Sequence, residues 1–249
     1  MDRLIYTSLT ALRGAMSRQT ATANNLANAN TPGFRAEMAD AQAFYIQGEG
    51  LNARAPQTEG VTGADMTAGA VASTGRDLDV SLSGDALLTV QATDGSEAYT
   101  RRGDLQLSDS GLLTTGDGAP VVGDQGPITL PPADKVKIDG TGAIWILPQG
   151  SQQGAEMQKV DQLKLVSPQG STIKKGLDGL FREANGGTLA ADPDARLTSG
   201  ALEGSNVSTA KALTDMIQAS RDWDTQTKMI SAAKDIDSSG AQLMNLPSD

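Results

Sequence analysis

The sequence predicts a mixed fold: long N- and C-terminal α-helices pairing in a coiled-coil-like layer and flanking a central all-β domain. Three observations carry this reading. Apolar residues recur at heptad spacing near each end, short runs between the ends alternate apolar with polar, and glycine-containing turn pairs punctuate those runs.

The first segment spans residues 1–35. Ile5, Leu9, Leu12, Met16, Gln19, Ala23 and Leu26 follow steps of four and three, a heptad seam with one polar break. No proline interrupts it before Pro32, and Asn28, Asn30, Pro32 and Gly33 form a strong stop. Proline bars helix continuation and biases Thr31 toward an extended backbone, while Gly33 permits positive φ. Phe34 follows as an apolar anchor beside the bend.

Residues 36–75 are rich in Ala, Gly, Thr, Gln and Glu without a steady period, and read as an extended linker or arm. Residues 76–200 read as the all-β domain. Leu78–Val80–Leu82, Leu88–Val90–Ala92 and Leu105–Leu107 alternate, and Ile144–Leu147 and Leu163–Val166 follow. Turns are expected at Ser83–Gly84, Asp94–Gly95, Ser110–Gly111, Asp117–Gly118, Asp139–Gly140 and Gln169–Gly170.

Residues 201–249 form the closing helical segment. Ser205, Asn206 and Ser208 offer N-caps, and no proline occurs from Thr209 to Leu243. Leu213, Met216, Ile217, Trp223, Ile230, Ala233 and Ile236 mark its apolar stripe. A helix of about 30 residues is roughly 45 Å long, more than a small core can cover.

Composition limits the chemistry. The chain has 249 residues, but Leu, Ile, Val and Phe make up only about 19% of them, and eight residues are aromatic. That supports one modest core plus segments ordered by a partner. Without His there is no Ser-His-Asp system and no His-ligated metal; without Cys there is no thiolate site, zinc knuckle or disulfide. No apolar run approaches 18 residues, so no membrane insertion is expected. The net charge of −10 argues against nucleic acid. Charge also divides by segment: residues 1–35 carry +3 and residues 203–249 carry −3, so the two ends are complementary.

Short motifs give no reaction. Ser171–Lys174 and Ser208–Lys211 have Ser-Lys acyl-enzyme spacing but lack the companion elements, and Ser208 is better read as a helix start. Arg102–Gly103–Asp104 spells an adhesion tripeptide at an expected turn, and an adhesin-like secreted protein is the alternative of a different class. Residues 1–20 lack the apolar core of a secretory signal. No catalytic, cofactor-binding or metal site and no small-molecule substrate is expected. Helical stripes that the chain cannot cover itself point to an assembly protein.

The run Asn24-Asn25-Leu26-Ala27-Asn28-Ala29-Asn30-Thr31-Pro32-Gly33-Phe34-Arg35 resembles an element of bacterial flagellar rod and hook proteins. Thr74-Gly75-Arg76-Asp77-Leu78-Asp79-Val80, Ala98–Leu105 with Asp109–Leu113, and Gly200–Val207 leading to Met216–Ile217 and Arg221–Asp224 agree with it in order. The opening Met1–Tyr6 and the length resemble a proximal rod subunit, with a distal rod or hook-type subunit as the alternative. Leu87–Leu88 after Asp85-Ala86, and Trp223-Asp224, depart from the usual pattern in detail.

The resemblance implies a non-enzymatic subunit exported by the flagellar type III apparatus without signal cleavage. It implies polymerisation with copies of itself and other rod proteins into a hollow, torque-transmitting periplasmic shaft. The terminal segments would line its channel, and the β domain would form the outer layer. The residues expected to carry assembly are Ile5, Leu9, Leu12, Met16, Ala23, Leu26, Asn28, Thr31, Pro32, Gly33, Phe34, Leu213, Met216, Ile217, Trp223 and Ile230.

Overall fold

A computed structural model describes residues 2–43, 57–152 and 155–244. A helix α1, Asp2–Ala27, opens the chain, and a helix α2, Thr209–Met244, closes it, with a β-rich region between. Local chemistry sets the end of α1 and the start of α2. Pro32 and Gly33 follow α1, and the Ser208 carbonyl accepts the Ala212 N–H at 2.9 Å in the first turn of α2.

The chain divides into two compact units. One holds residues 1–27, 37–63 and 208–249; the other holds residues 28–36 and 64–207. In the first unit α1 and α2 pack against each other. Among the described residues its buried apolar side chains are small: Ala15 and Ala21 on α1, and Ala212, Ala219 and Ala233 on α2. The three α2 alanines are separated by multiples of seven, and half-buried Met216, Trp223 and Ile230 alternate with them at the same period. Small side chains let two helical backbones approach closely, whereas bulkier ones hold them apart. The strand Glu37–Ala43, which pairs with Gln57–Ala64, also lies within the 36–75 stretch; residues 44–56 lie outside the described residues.

The second unit is built from short antiparallel strands. A five-stranded sheet runs in the order Leu165–Val166, Leu87–Gln91, Glu97–Thr100, Phe181–Glu183, Ile173–Lys175. A three-stranded sheet runs Ala133–Ile138, Ala143–Pro148, Gln158–Gln162. Two-stranded ladders complete it, among them Val80–Leu82 with Leu197–Ser199 and Val71–Ser73 with Ala201–Glu203. Val80, Leu88, Val90, Leu105, Leu113, Val121, Ile128, Ile138 and Ile144 form the core between them, each at 1% exposure or less. Gly84, Gly95, Gly111, Gly118 and Gly170 all take positive φ, at the turns the sequence indicates. At Asp139–Gly140 the positive-φ residue is instead Gly142, because Asp139 Oδ1 accepts the Thr141 and Ala143 N–H groups and shifts the tight position two residues on.

Candidate assembly site and the terminal junction

The loop after α1 is a compact hydrogen-bonded bend. The Thr31 N–H donates to the Asn28 carbonyl at 3.1 Å, the Thr31 hydroxyl to Asn28 Oδ1 at 3.1 Å, and the Phe34 N–H to the Thr31 carbonyl at 3.2 Å. Gly33 is buried at φ 67°, its N–H donates to the Glu203 carbonyl at 2.7 Å, and a Cβ there would lie 2.3 Å from the Arg101 carbonyl oxygen. Only glycine meets both constraints. Phe34 lies under the Lys175 ammonium, 3.6 Å from the ring centroid, and the same ammonium donates to the Arg35 carbonyl at 2.9 Å.

The next residue, Arg35, turns into the β-rich unit. Its Nη2 meets Glu203 Oε1 at 2.7 Å, and Arg101 Nη2 meets Glu203 Oε2 at 2.6 Å; all three side chains are 1–2% exposed. Glu203 Oε1 also accepts the Gly69 N–H at 2.9 Å. Arg101 spends its remaining donors on the carbonyls of Leu82, Gly84 and Ala86 at 2.6–2.8 Å. Burial pushes the Glu203 carboxyl up, but hydrogen bonds from Arg101 and Arg35 outweigh it, so the acid sits below its ordinary range. Asn206 closes the arrangement. Its Oδ1 accepts the Ala36 N–H at 2.7 Å, and its Nδ2 donates to the carbonyls of Asp65 and Thr67 at 2.8 and 3.0 Å.

The stretches 28–36, 98–105 and 200–207 thus meet in one buried junction, completed by residues 65–69 and 82–86. Sequence reading missed Arg35, Arg101, Glu203 and Asn206 as partners, since nothing local marks them. The only available signal was that all four fall inside the family-like motifs.

The dismissed motifs have structural roles. Arg102 Nε meets Asp104 Oδ1 at 2.7 Å, and a Cβ on Gly103 would lie 1.8 Å from the Val80 carbonyl oxygen, so the tripeptide is locked into the fold. Arg76 similarly pairs with Asp79 at 2.7 Å and donates to the Leu105 carbonyl. Ser208 Oγ accepts the Lys211 N–H at 3.4 Å, as a helix cap does. Among the described residues there is no acidic cluster suited to a metal, and no helix is long and apolar enough to cross a membrane.

The expected seam residues have mixed positions. Ile5 lies on α1, but its side chain is outside the described residues. Leu9, Met16 and Ala23 are exposed, and Leu12 and Leu26 half-buried. On α2, Met216, Trp223 and Ile230 are half-buried beside the alanines, whereas Leu213 and Ile217 are 50% and 57% exposed. Among the described residues each helix therefore buries small residues most fully and leaves some larger apolar side chains exposed, Leu9 and Met16 on α1 and Leu213 and Ile217 on α2. Asn28, Thr31, Pro32, Gly33 and Phe34 all belong to the junction loop.

Short strands locked by buried ion pairs, and two long helices with apolar side chains left exposed, are the build of an architectural protein. Family comparison specifies which. Residues 5–35 match the flagella basal body rod protein family, residues 81–146 the FlgE/F/G hook-protein D1 domain, and residues 198–243 the FlgEFG rod-protein C-terminal domain. The chain is 42% identical to the flagellar basal-body rod protein FlgF of Salmonella typhimurium (strain LT2), covering 99% of this chain and 100% of that one. It is 41% identical, with the same coverage, to FlgF of Escherichia coli (strain K12). The rod protein FlgG of Bacillus subtilis (strain 168) matches at 29%, over 95% of this chain and 97% of its own length. The chain belongs to the flagellar basal-body rod protein family, on its FlgF branch. It is a structural subunit of the rod, not an enzyme.

Proposed function

We propose that this subunit polymerises, with copies of itself and other rod proteins, into a hollow shaft that transmits torque. The observation that carries this reading is the outward apolar surface of the helical unit: Leu9, Met16, Leu213, Ile217, Met229 and Ile236 are 39–58% exposed on a family member's terminal helices. Water-exposed side chains of this size become favourable once neighbouring subunits cover them. The heptad spacing of Ala212, Ala219 and Ala233 with Met216, Trp223 and Ile230 supports a coiled-coil-like layer formed by α1 and α2. In the assembled shaft that layer lines the channel, and the β-rich unit lies outside it. The subunit reaches the periplasm through the flagellar export apparatus without losing a signal peptide.

The test is complementation. The tagged chain is expressed in a Salmonella strain lacking its own FlgF, and basal bodies are isolated and imaged by cryo-microscopy. Restored motility with the chain in the rod is expected, and its N-terminus should be that of the initial Met. Absence of the chain from motile basal bodies overturns the reading.

A further inference from the structure

The three-stranded sheet has two unlike faces. Ile138 and Ile144 are paired across it and buried at 0% and 1%, and Ile146 at 2%, so one face belongs to the core. On the other face Lys137 pairs with Trp145, and Trp145 with Lys159 on the next strand, while Lys135 pairs with Leu147. Cross-strand partners lie on the same side of a sheet, so an apolar strip of Trp145 and Leu147 is bordered by three lysines. All three lysines are exposed. Among the described residues Lys135 and Lys137 have no ion-pair or hydrogen-bond partner, and Lys159 reaches only Gln162 Oε1 at 2.9 Å. The Trp145 indole is fixed by its Nε1–H, which donates to Asp139 Oδ2 at 3.0 Å.

A cationic surface of this kind stands out in a chain of net charge −10. The same β-rich unit supplies its complement. A cleft lined by Leu163, Leu165 and Pro193 carries Asp124 and Asp192, and its one cation, Lys164, is already held by Glu97 at 2.8 Å. We propose that the lysine-bordered Trp145 face of one copy docks on the Asp124–Asp192 cleft of a second copy. The patches are different residues of one surface, and in a head-to-tail contact each added copy presents both again. This rests on the rod reading and adds a specific contact between β-rich units to it.

Sedimentation of the full-length chain over a concentration series tests it. Self-association that weakens with salt is expected. Lys135→Glu/Lys137→Glu and Asp124→Lys/Asp192→Lys should each weaken it by at least about tenfold, because like charges then face each other. Combining the four changes should restore most of the loss. All these side chains lie on the surface or a cleft rim, and an unchanged melting temperature will show that each variant folds. Reversals without effect, a combined variant as weak as the single sets, or a wild-type chain that stays monomeric overturn the proposal. So does heparin binding that the lysine variant loses while self-association is unchanged. Wild-type chain present in basal bodies with charge-insensitive association defeats this contact alone; its absence from basal bodies defeats the rod reading.

Discussion

Arg35 and Glu203 are 168 residues apart in the chain and meet at 2.7 Å with both side chains 1% exposed. Arg101 takes the carboxylate's other oxygen, so a single acid neutralises two buried guanidinium groups. Truncating it should therefore cost more than an ordinary ion pair. Glu203→Ala is expected to destabilise the β-rich unit by about 3–5 kcal/mol, since it strands two buried cations. Chemical denaturation with far-UV detection checks this; a loss near that of a surface salt bridge would contradict the geometry.

The pH profile should have two limbs. Glu203 sits below its ordinary value of 4.5, and Asp139 is held at about 2, where hydrogen bonds from Thr141 and Trp145 outweigh burial. A depressed carboxyl pKa contributes stability that is complete above the unfolded value and lost as pH falls through the folded one. The melting temperature should thus fall progressively below about pH 4.5, and Glu203→Gln should flatten that decline. At the other end, burial pushes the Tyr99 phenol up to about 12. Its contribution is complete below 10 and is lost as pH rises toward 12. Thermal scans across pH, with Tyr99→Phe as the control for the alkaline limb, measure both.

Gly33→Ala should open the junction. A left-handed backbone costs a side chain about 1–2 kcal/mol, and overlap with the Arg101 carbonyl adds to it. Hydrogen exchange should speed at the Gly33 and Asn206 amides, which donate to the Glu203 and Phe34 carbonyls. Exchange unchanged from wild type would mean the loop tolerates the methyl group.

The junction also shows what a sequence does and does not reveal. The stop after α1 was readable because Pro32 and Gly33 act on their own backbone. Turn glycines were readable for the same reason. Arg35, Arg101 and Glu203 were not, since a contact across 168 residues leaves no period and no local composition. The helices illustrate a second limit. Hydrophobicity picks out exposed Leu9, Met16, Leu213 and Ile217 along with half-buried Met216, Trp223 and Ile230, but of the buried Ala15, Ala21, Ala212, Ala219 and Ala233 it marks only the last. Close backbone approach rewards the absence of side-chain volume, which a search for large apolar residues passes over.

The buried alanines supply their own test. Ala219→Leu inserts three carbons at a position 7% exposed and should destabilise the helical unit by about 1–3 kcal/mol. Helix loss on warming, followed at 222 nm by circular dichroism, reports it. A neutral result would show that the two helices yield around the larger side chain.

The outward face should behave in the opposite way. Met16 is 52% exposed and Leu213 50%, so Met16→Asp and Leu213→Asp should change the stability of the isolated chain by no more than about 0.5 kcal/mol. Swimming on soft agar should nevertheless fail in the complemented strain, because a charge then lies where a neighbouring subunit must cover it. Normal motility with either variant would remove these residues from the assembly surface.

The 168-residue separation of Arg35 and Glu203 also sets a clock. At roughly 5–20 residues per second, a ribosome takes about 8–34 s to pass from one to the other. Until Glu203 is made, Arg35, and Arg101 once it has followed, lack the carboxylate they close on, and Gly33 has no Glu203 carbonyl to receive its N–H. The β-rich unit consequently cannot lock one strand at a time during synthesis. It is completed only when the last fifth of the polypeptide arrives, and a message cut short before Glu203 yields a chain without the acid that fastens the junction.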